Sequence, residues 1–339
     1  MVWRTRRAWR WVVLIAVLVG IGTASSCVSR RSYPAARRIV FTQIPLGTEE
    51  GAPASFGARP EGARLVMLED GETRVLTKEF ESACDPDLSF DGTRVLFSGK
   101  RGAADRWNIW EMGLDGGRPR QITSDLGDCG EPAYLAMASV TPPTFEEKVR
   151  WVAFTSTAPE ALNGEGTGPL TSLYVTNTSP IKDRGTVVWR TTYGLGGDIS
   201  PTVLSDGRVL FSSWQRDAFG LMTITWDGDN LNPFYGNHEG PVMKTMACEM
   251  PDRRALVFVE SEGEEGGRLV QVSFRRPLYT HEALSRGDGL YRTPHTSPDG
   301  GLLVSYTAEE EGNYGIYAFD VDAGRPGQRI YAAMKNGLR

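Results

Sequence analysis

Short runs of alternating apolar and polar residues, broken by Asp-Gly or glycine-rich turns, recur from residue 38 almost to the C terminus. Period-two alternation places successive side chains on opposite faces of a β-strand. The runs also share a frame. "DPDLSFDGTRVLFSG" (85–99), "SPTVLSDGRVLFSSW" (200–214) and "TPHTSPDGGLLVSYT" (293–307) each carry Pro, four residues, Asp-Gly and then a β-branched or aromatic stretch. Asp-Gly between alternating segments predicts a hairpin, because a two-residue turn needs a positive φ that these residues tolerate.

Two further hydrophobic pieces follow each run: "NIWEMGLDGGRPRQIT" (108–123), "GLMTITWDGDNLNPFYG" (220–236) and "YGIYAFDVDAGRPGQRIY" (314–331). Each reads as strand, turn, strand, so one unit is four antiparallel strands of about 40 residues in all. Looser copies occupy 38–77, 131–192 and 244–274, with no long structureless segment left over. Six such units predict an all-β fold, a six-bladed β-propeller of four-stranded antiparallel blades over 38–331. Val95, Phe97, Val209, Phe211, Leu302 and Val304 are expected to pack between neighbouring blades. Either the strand near 38–42 or the C-terminal "RIYAAM" is expected to complete a blade and protect the sheet edges.

The N-terminal residues follow different rules. Arg4, Arg6, Arg7 and Arg10 precede the apolar run "WVVLIAVLVGIG" and the small residues before Cys27. Residues 1–27 therefore resemble a bacterial lipoprotein signal, which implies that Cys27 is lipidated and becomes the mature N terminus. An uncleaved membrane anchor is the alternative, but the apolar run falls short of the roughly 20 residues a span needs. Residues 28–37 then form a short basic tether and 332–339 a C-terminal tail.

Net charge is −5, and the leader carries four arginines and no acids, leaving 33 basic against 42 acidic residues, near −9. No basic stripe remains to neutralise phosphates, which argues against a nucleic-acid partner. Of the three cysteines after Cys27, Cys84 and Cys129 each lie just before the start of successive units. Export permits disulfides, so these two are a candidate pair. Cys248 is then a buried thiol or an alternative partner.

"SPDGGLLVSYT" (297–307) resembles the WD40-like SPDG repeat of six-bladed periplasmic propellers of the Tol-system type. A narrower resemblance, on "DPDLSFDGTRVLFSGKR", "WNIWEMGLDG", "GDCGEPAYL" and "NPFYGNHEG", is to the middle domain of hydrazine synthase alpha subunits and their relatives. It covers nearly all the mature chain and implies a propeller. The alpha subunit's covalent haem c requires Cys-x-x-Cys-His, and no cysteine here is so placed, so covalent haem by that route is not expected. What carries over is the fold rather than the activity.

Candidate chemistry concentrates at the starts of the units. Residues flanking the aligned prolines would form rings at one mouth of the central channel, gathering Asp85, Asp87, Glu131 and His295. Carboxylates with an imidazole suit a divalent cation that would activate water. The competing reading is structural: acids at strand starts bond to backbone N–H groups of neighbouring loops. His238 and His281 lie between units and are expected in solvated loops. No nucleophile elbow, phosphate loop or HExxH is present.

The sequence thus predicts a lipid-anchored binding scaffold without catalytic residues, facing the periplasm from the outer rather than the inner membrane, or at the cell surface. An envelope protein is the expected partner, and the oligomeric state is left open. The alternative is a metal-dependent hydrolase, or an accessory subunit of a redox complex, using the acidic mouth.

Overall fold

The computed structural model describes residues 38–45, 59–136, 149–164, 166, 168–215, 218–236, 242–262, 266–308 and 313–332. The expected leader with Cys27, the 28–37 tether, His238 and all but the first residue of the 332–339 tail lie outside the described residues. No described helix is long and apolar enough to cross a membrane.

Twenty-three described strands form six antiparallel sheets, the blades of a propeller. Blade 1 is β1 (Arg38–Gln43), β2 (Arg64–Glu69) and β3 (Glu72–Val75). Blade 2 is β4 (Ser82–Leu88), β5 (Arg94–Lys100), β6 (Asn108–Gly113) and β7 (Arg120–Gln121). Blade 3 is β8 (Cys129–Tyr134), β9 (Trp151–Ser156), β10 (Ser172–Asn177) and β11 (Val188–Arg190). Blade 4 is β12 (Asp198–Val203), β13 (Val209–Gln215), β14 (Ala218–Ile224) and β15 (Asn232–Tyr235). Blade 5 is β16 (Met243–Met250), β17 (Ala255–Ser261), β18 (Arg268–Ser273) and β19 (Glu282–Ala283). Blade 6 is β20 (Leu290–Thr296), β21 (Leu302–Thr307), β22 (Gly315–Asp320) and β23 (Arg325–Tyr331).

Successive first strands β4, β8, β12, β16 and β20 touch one another in turn and so line the axis. Apolar side chains fill the joints between blades as the alternation predicts. Val95 and Phe97 pack against Leu65 and Met67 of blade 1, Val209 and Phe211 against Leu173 and Val175, and Leu302 and Val304 against Val257 and Val259.

The Asp-Gly pairs close the first hairpin of their blades, but not as two-residue turns. Ser89 N–H bonds to the Arg94 carbonyl around a four-residue loop, and of the pair only Gly92 takes a positive φ, 65°. Asp91 instead accepts from the Ser89 hydroxyl and from the Thr93 amide and hydroxyl, which hold its carboxyl well below the usual range. Asp299 repeats the device with Ser297 and Gly301.

Blade 1 has three described strands where the others have four. Among the described residues, no strand takes its innermost position. Leu65 N–H bonds to Thr77 Oγ1, just as Ile109, Leu173 and Leu269 bond to Thr123, Thr192 and Ser285 at the third-to-fourth strand step. Ala83 N–H bonds to the Ala63 carbonyl as Cys129, Asp198 and Tyr291 bond to Trp107, Thr171 and Gly267. These matches make β2 a third strand, β3 a fourth and β1 a second. Of the two segments expected to complete a blade, 38–42 lies within β1 and 329–331 ends β23, while 333–334 lie outside the described residues. The strand at 38–43 and the one ending at Tyr331 each belong to the blade of their own neighbours in sequence, and neither fills the axial position of blade 1.

Candidate functional site

Each of the five inner strands is broken by a bulge at the same point: between Cys84 and Asp87, Gly130 and Ala133, Ile199 and Thr202, Thr245 and Cys248, and Arg292 and His295. The residue inside each bulge has positive φ: Asp85 (54°), Glu131 (49°), Ser200 (52°), Met246 (53°) and Thr293 (43°). Such backbone costs a non-glycine residue roughly 1–2 kcal/mol, so a ring of five must be compensated by its surroundings. In four blades the next residue is proline, which holds the strand extended beyond the bulge.

The compensation is a series of hydrogen bonds from blade to blade. Asp85 Oδ2 accepts the Glu131 amide at 3.2 Å and the Ser98 hydroxyl at 2.7 Å. Glu131 accepts in turn from Ser200, through its hydroxyl at 3.2 Å and through its backbone N–H, and from Thr155 Oγ1 at 3.2 Å. Two blades on, the Thr293 amide points at Met246 Sδ at 3.4 Å. One step along the strand, Asp87 Oδ2 accepts the Tyr134 amide at 2.7 Å. A bulge turns an amide out of its own ladder, and the side chain of the preceding blade receives it.

Arg59, from the segment leading into β2, completes the mouth. Its side chain is 5% exposed, with Nε 3.5 Å from Asp85 Oδ2 and Nη2 3.3 Å from Thr155 Oγ1, and it lies over the Trp107 ring. It fits because residue 130 is glycine: a Cβ there would come within 1.7 Å of Arg59 Nη2.

Enclosure sets the protonation of the ring. Burial raises the Glu131 carboxyl, the Asp85 charge adds to the rise, and Arg59 opposes it. Asp87 is pushed up to about 7 by desolvation, against the lowering pull of the Tyr134 and Leu88 amides. His295 is pushed down by desolvation. Asp87 is half-buried and His295 exposed by accessible surface. Crowding by surrounding protein atoms, rather than loss of all water contact, shifts both groups.

The structure thus brings Asp85 and Glu131 together and leaves Asp87 and His295 one step along the strands, in the blades either side of blade 1. Among the described residues, no three His, Cys, Asp or Glu side chains converge as metal ligands. The candidate disulfide is not formed. Cys84, Cys129 and Cys248 are free and buried. Cys84 directly precedes its bulge residue and packs with Ala63 and Trp107. Cys129 stands one position earlier relative to its own and packs with Leu96, Ile109 and Phe154, so the thiols are not opposed. His281 is not a free loop residue either: its Nε2 lies 3.2 Å from both oxygens of buried Glu260, which also pairs with Arg268.

Comparison with known proteins gives a specific match. The chain is 31% identical over 364 aligned positions to hydrazine synthase subunit alpha of Kuenenia stuttgartiensis. The chain is a homologue of part of that subunit. The alignment takes in 91% of the chain but 44% of the relative, so the chain spans less than half its length. The solved Kuenenia stuttgartiensis hydrazine synthase superposes with a TM-score of 0.80 at 28% identity, over 88% of this chain and 45% of that one. TolB from Acinetobacter baumannii superposes at 0.59 with 15% identity, over 87% of this chain and 65% of that one, a likeness of fold. No family model matches the chain.

Proposed function

We propose that this chain is an exported, lipid-anchored propeller that serves as a binding scaffold in the bacterial cell envelope. Lipidated Cys27 would hold it to a membrane, the outer rather than the inner, facing the periplasm, or at the cell surface. A partner protein or small ligand would sit at the channel mouth or on a rim of loops. The observation that carries this reading is the use made of the mouth's acids. Asp85, Asp87 and Glu131 each accept a backbone amide of the next blade, so their oxygens hold the ring together rather than pointing at a reactant.

A second reading is favoured by the relative's own name. Hydrazine synthase subunit alpha is a subunit, and 31% identity across 91% of the chain supports a place as an accessory subunit in a related redox complex.

The test is made in cells. Metabolic labelling with a fatty-acid analogue should mark the wild type and not Cys27→Ala, and the variant should leave the membrane fraction. Crosslinked pull-down from envelope membranes should then yield a reproducible partner that Cys27→Ala loses. Absence of label sinks the anchor, and absence of any reproducible partner sinks the scaffold.

A further inference from the structure

The turn between the third and fourth strands of blade 5 departs from its counterparts. In blades 1, 2 and 4 this turn is built on Asp-Gly, as Asp70-Gly71, Asp115-Gly116 and Asp227-Gly228, with each glycine at positive φ. Blade 5 has "RRPLYT" (275–280) there instead, with a single 3₁₀ turn over Pro277–Tyr279. Leu278 is 51% exposed and Tyr279 85%, so neither side chain serves the core. Phe274 anchors the turn against Phe234 of β15, ring centroids 5.4 Å apart, and Leu231 just before β15 is exposed as well. The turn between the first and second strands lies alongside, since the Phe274 amide donates to the Arg254 carbonyl at 3.1 Å. Arg254, Arg275 and Arg276 are exposed, and among the described residues none of them is ion-paired. A chain of net charge −5 thus presents three unpaired arginines beside two projecting apolar side chains.

We propose that this rim docks on an anionic phospholipid surface, with Leu278 and Tyr279 entering the headgroup layer and Arg254, Arg275 and Arg276 meeting lipid phosphates. Tyrosine suits that boundary because its ring is apolar and its tip polar, and arginine donates to phosphate oxygens in pairs. Apolar insertion and basic charge, each weak alone, act together at such sites. A bilayer is favoured over an acidic protein by the place where the chain enters the fold. Arg38 pairs with Glu69 beside the Asp70-Gly71 turn, so β1 starts at the same end of the propeller as the blade 5 turn. Residues 28–37 separate Arg38 from Cys27, and the Cα–Cα steps between those two residues reach about 40 Å at most. An anchor at Cys27 would therefore turn this end of the propeller, and the rim with it, toward the membrane. The inference deepens the scaffold reading and rests on its anchor for the bilayer's being within reach.

The probe is the full chain with Cys27→Ala and Leu278→Cys, the introduced thiol carrying an environment-sensitive nitrobenzoxadiazole dye. Cys84, Cys129 and Cys248 are buried, which confines the dye to the rim. On vesicles of phosphatidylglycerol and phosphatidylethanolamine the emission should rise about threefold and shift to shorter wavelength, whereas phosphatidylcholine vesicles should leave it near the lipid-free value. Adding Arg254→Glu, Arg275→Glu and Arg276→Glu together should reduce the rise at least tenfold. The proposal falls if the emission is unchanged on the anionic vesicles, or if the charge-reversed chain responds as its parent does. It falls equally if a lipid-free envelope extract raises the emission and vesicles do not, which would assign the rim to a protein. Because the probe lacks Cys27, a missing fatty-acid label in cells sinks the anchor without touching this result. A silent dye sinks the docking and leaves the anchor standing.

Discussion

The amide of Glu131 donates to Asp85 Oδ2 at 3.2 Å across the joint between blades 2 and 3, and both residues sit at positive φ inside equivalent bulges. One acid therefore stabilises the strained backbone that presents the next. Asp85→Ala removes the acceptor for that amide and for the Ser98 hydroxyl, and leaves Arg59 without its carboxylate. A loss of about 2 kcal/mol is expected, read from guanidinium unfolding, with Asp85→Asn recovering part of it. Unchanged stability would mean that the bond contributes nothing.

Gly130 tests the arginine that reaches the same pair. A Cβ at 130 would meet Arg59 Nη2 within 1.7 Å, so Gly130→Ala should displace Arg59 from Asp85 and Thr155. The two sites are then coupled. In a double-mutant cycle, Gly130→Ala should cost clearly less in an Arg59→Ala background, with a coupling of about 1 kcal/mol. Strict additivity would show that the glycine is needed for some other reason.

Asp87 gives stability a pH dependence whose sign is set by burial. Its carboxyl is raised from the ordinary range to about 7, so the folded state favours the protonated form. That contribution is complete below the unfolded value near 3.8 and is lost as pH rises through 7. Asp87→Asn keeps an acceptor for the Tyr134 amide and cannot ionise. The difference in melting temperature, variant minus wild type, should therefore grow between pH 5 and pH 8. A constant difference would show that Asp87 ionises freely.

The thiols should be inert. Burial pushes Cys129 up to about 11, Cys248 up to about 12 and Cys84 well above its usual value. Alkylation followed by mass spectrometry should label none of the three in the folded protein and all three in guanidinium, with or without reductant. Labelling that appears only after reduction would restore the disulfide.

The repeat was legible because the Asp-Gly loops and the pre-proline residues recur at fixed spacing, and four of the five positive-φ residues stand directly before those prolines. The fifth, Met246, precedes Ala247 and so carries no such mark. Arg59 was invisible for a different reason: it comes from an irregular segment outside every repeat, and its place depends on a missing Cβ in another blade. The paired cysteines misled because their position relative to the bulge differs by one residue, and in a strand one residue changes the face. The order of the strands in blade 1 was hidden because β1 reads equally well as a first or a second strand. Only its hydrogen bonding through β2 and β3 distinguishes them.

The central claim is that the acids of the channel mouth join the blades. Guanidinium unfolding of Glu131→Ala against the wild type tests it most directly, because Glu131 receives the amide and hydroxyl of Ser200 and the hydroxyl of Thr155. A loss of about 2 kcal/mol with an unchanged denaturant slope is predicted. Equal or greater stability without the carboxylate would contradict the claim, since an acid kept at a cost to the fold is the mark of a functional site.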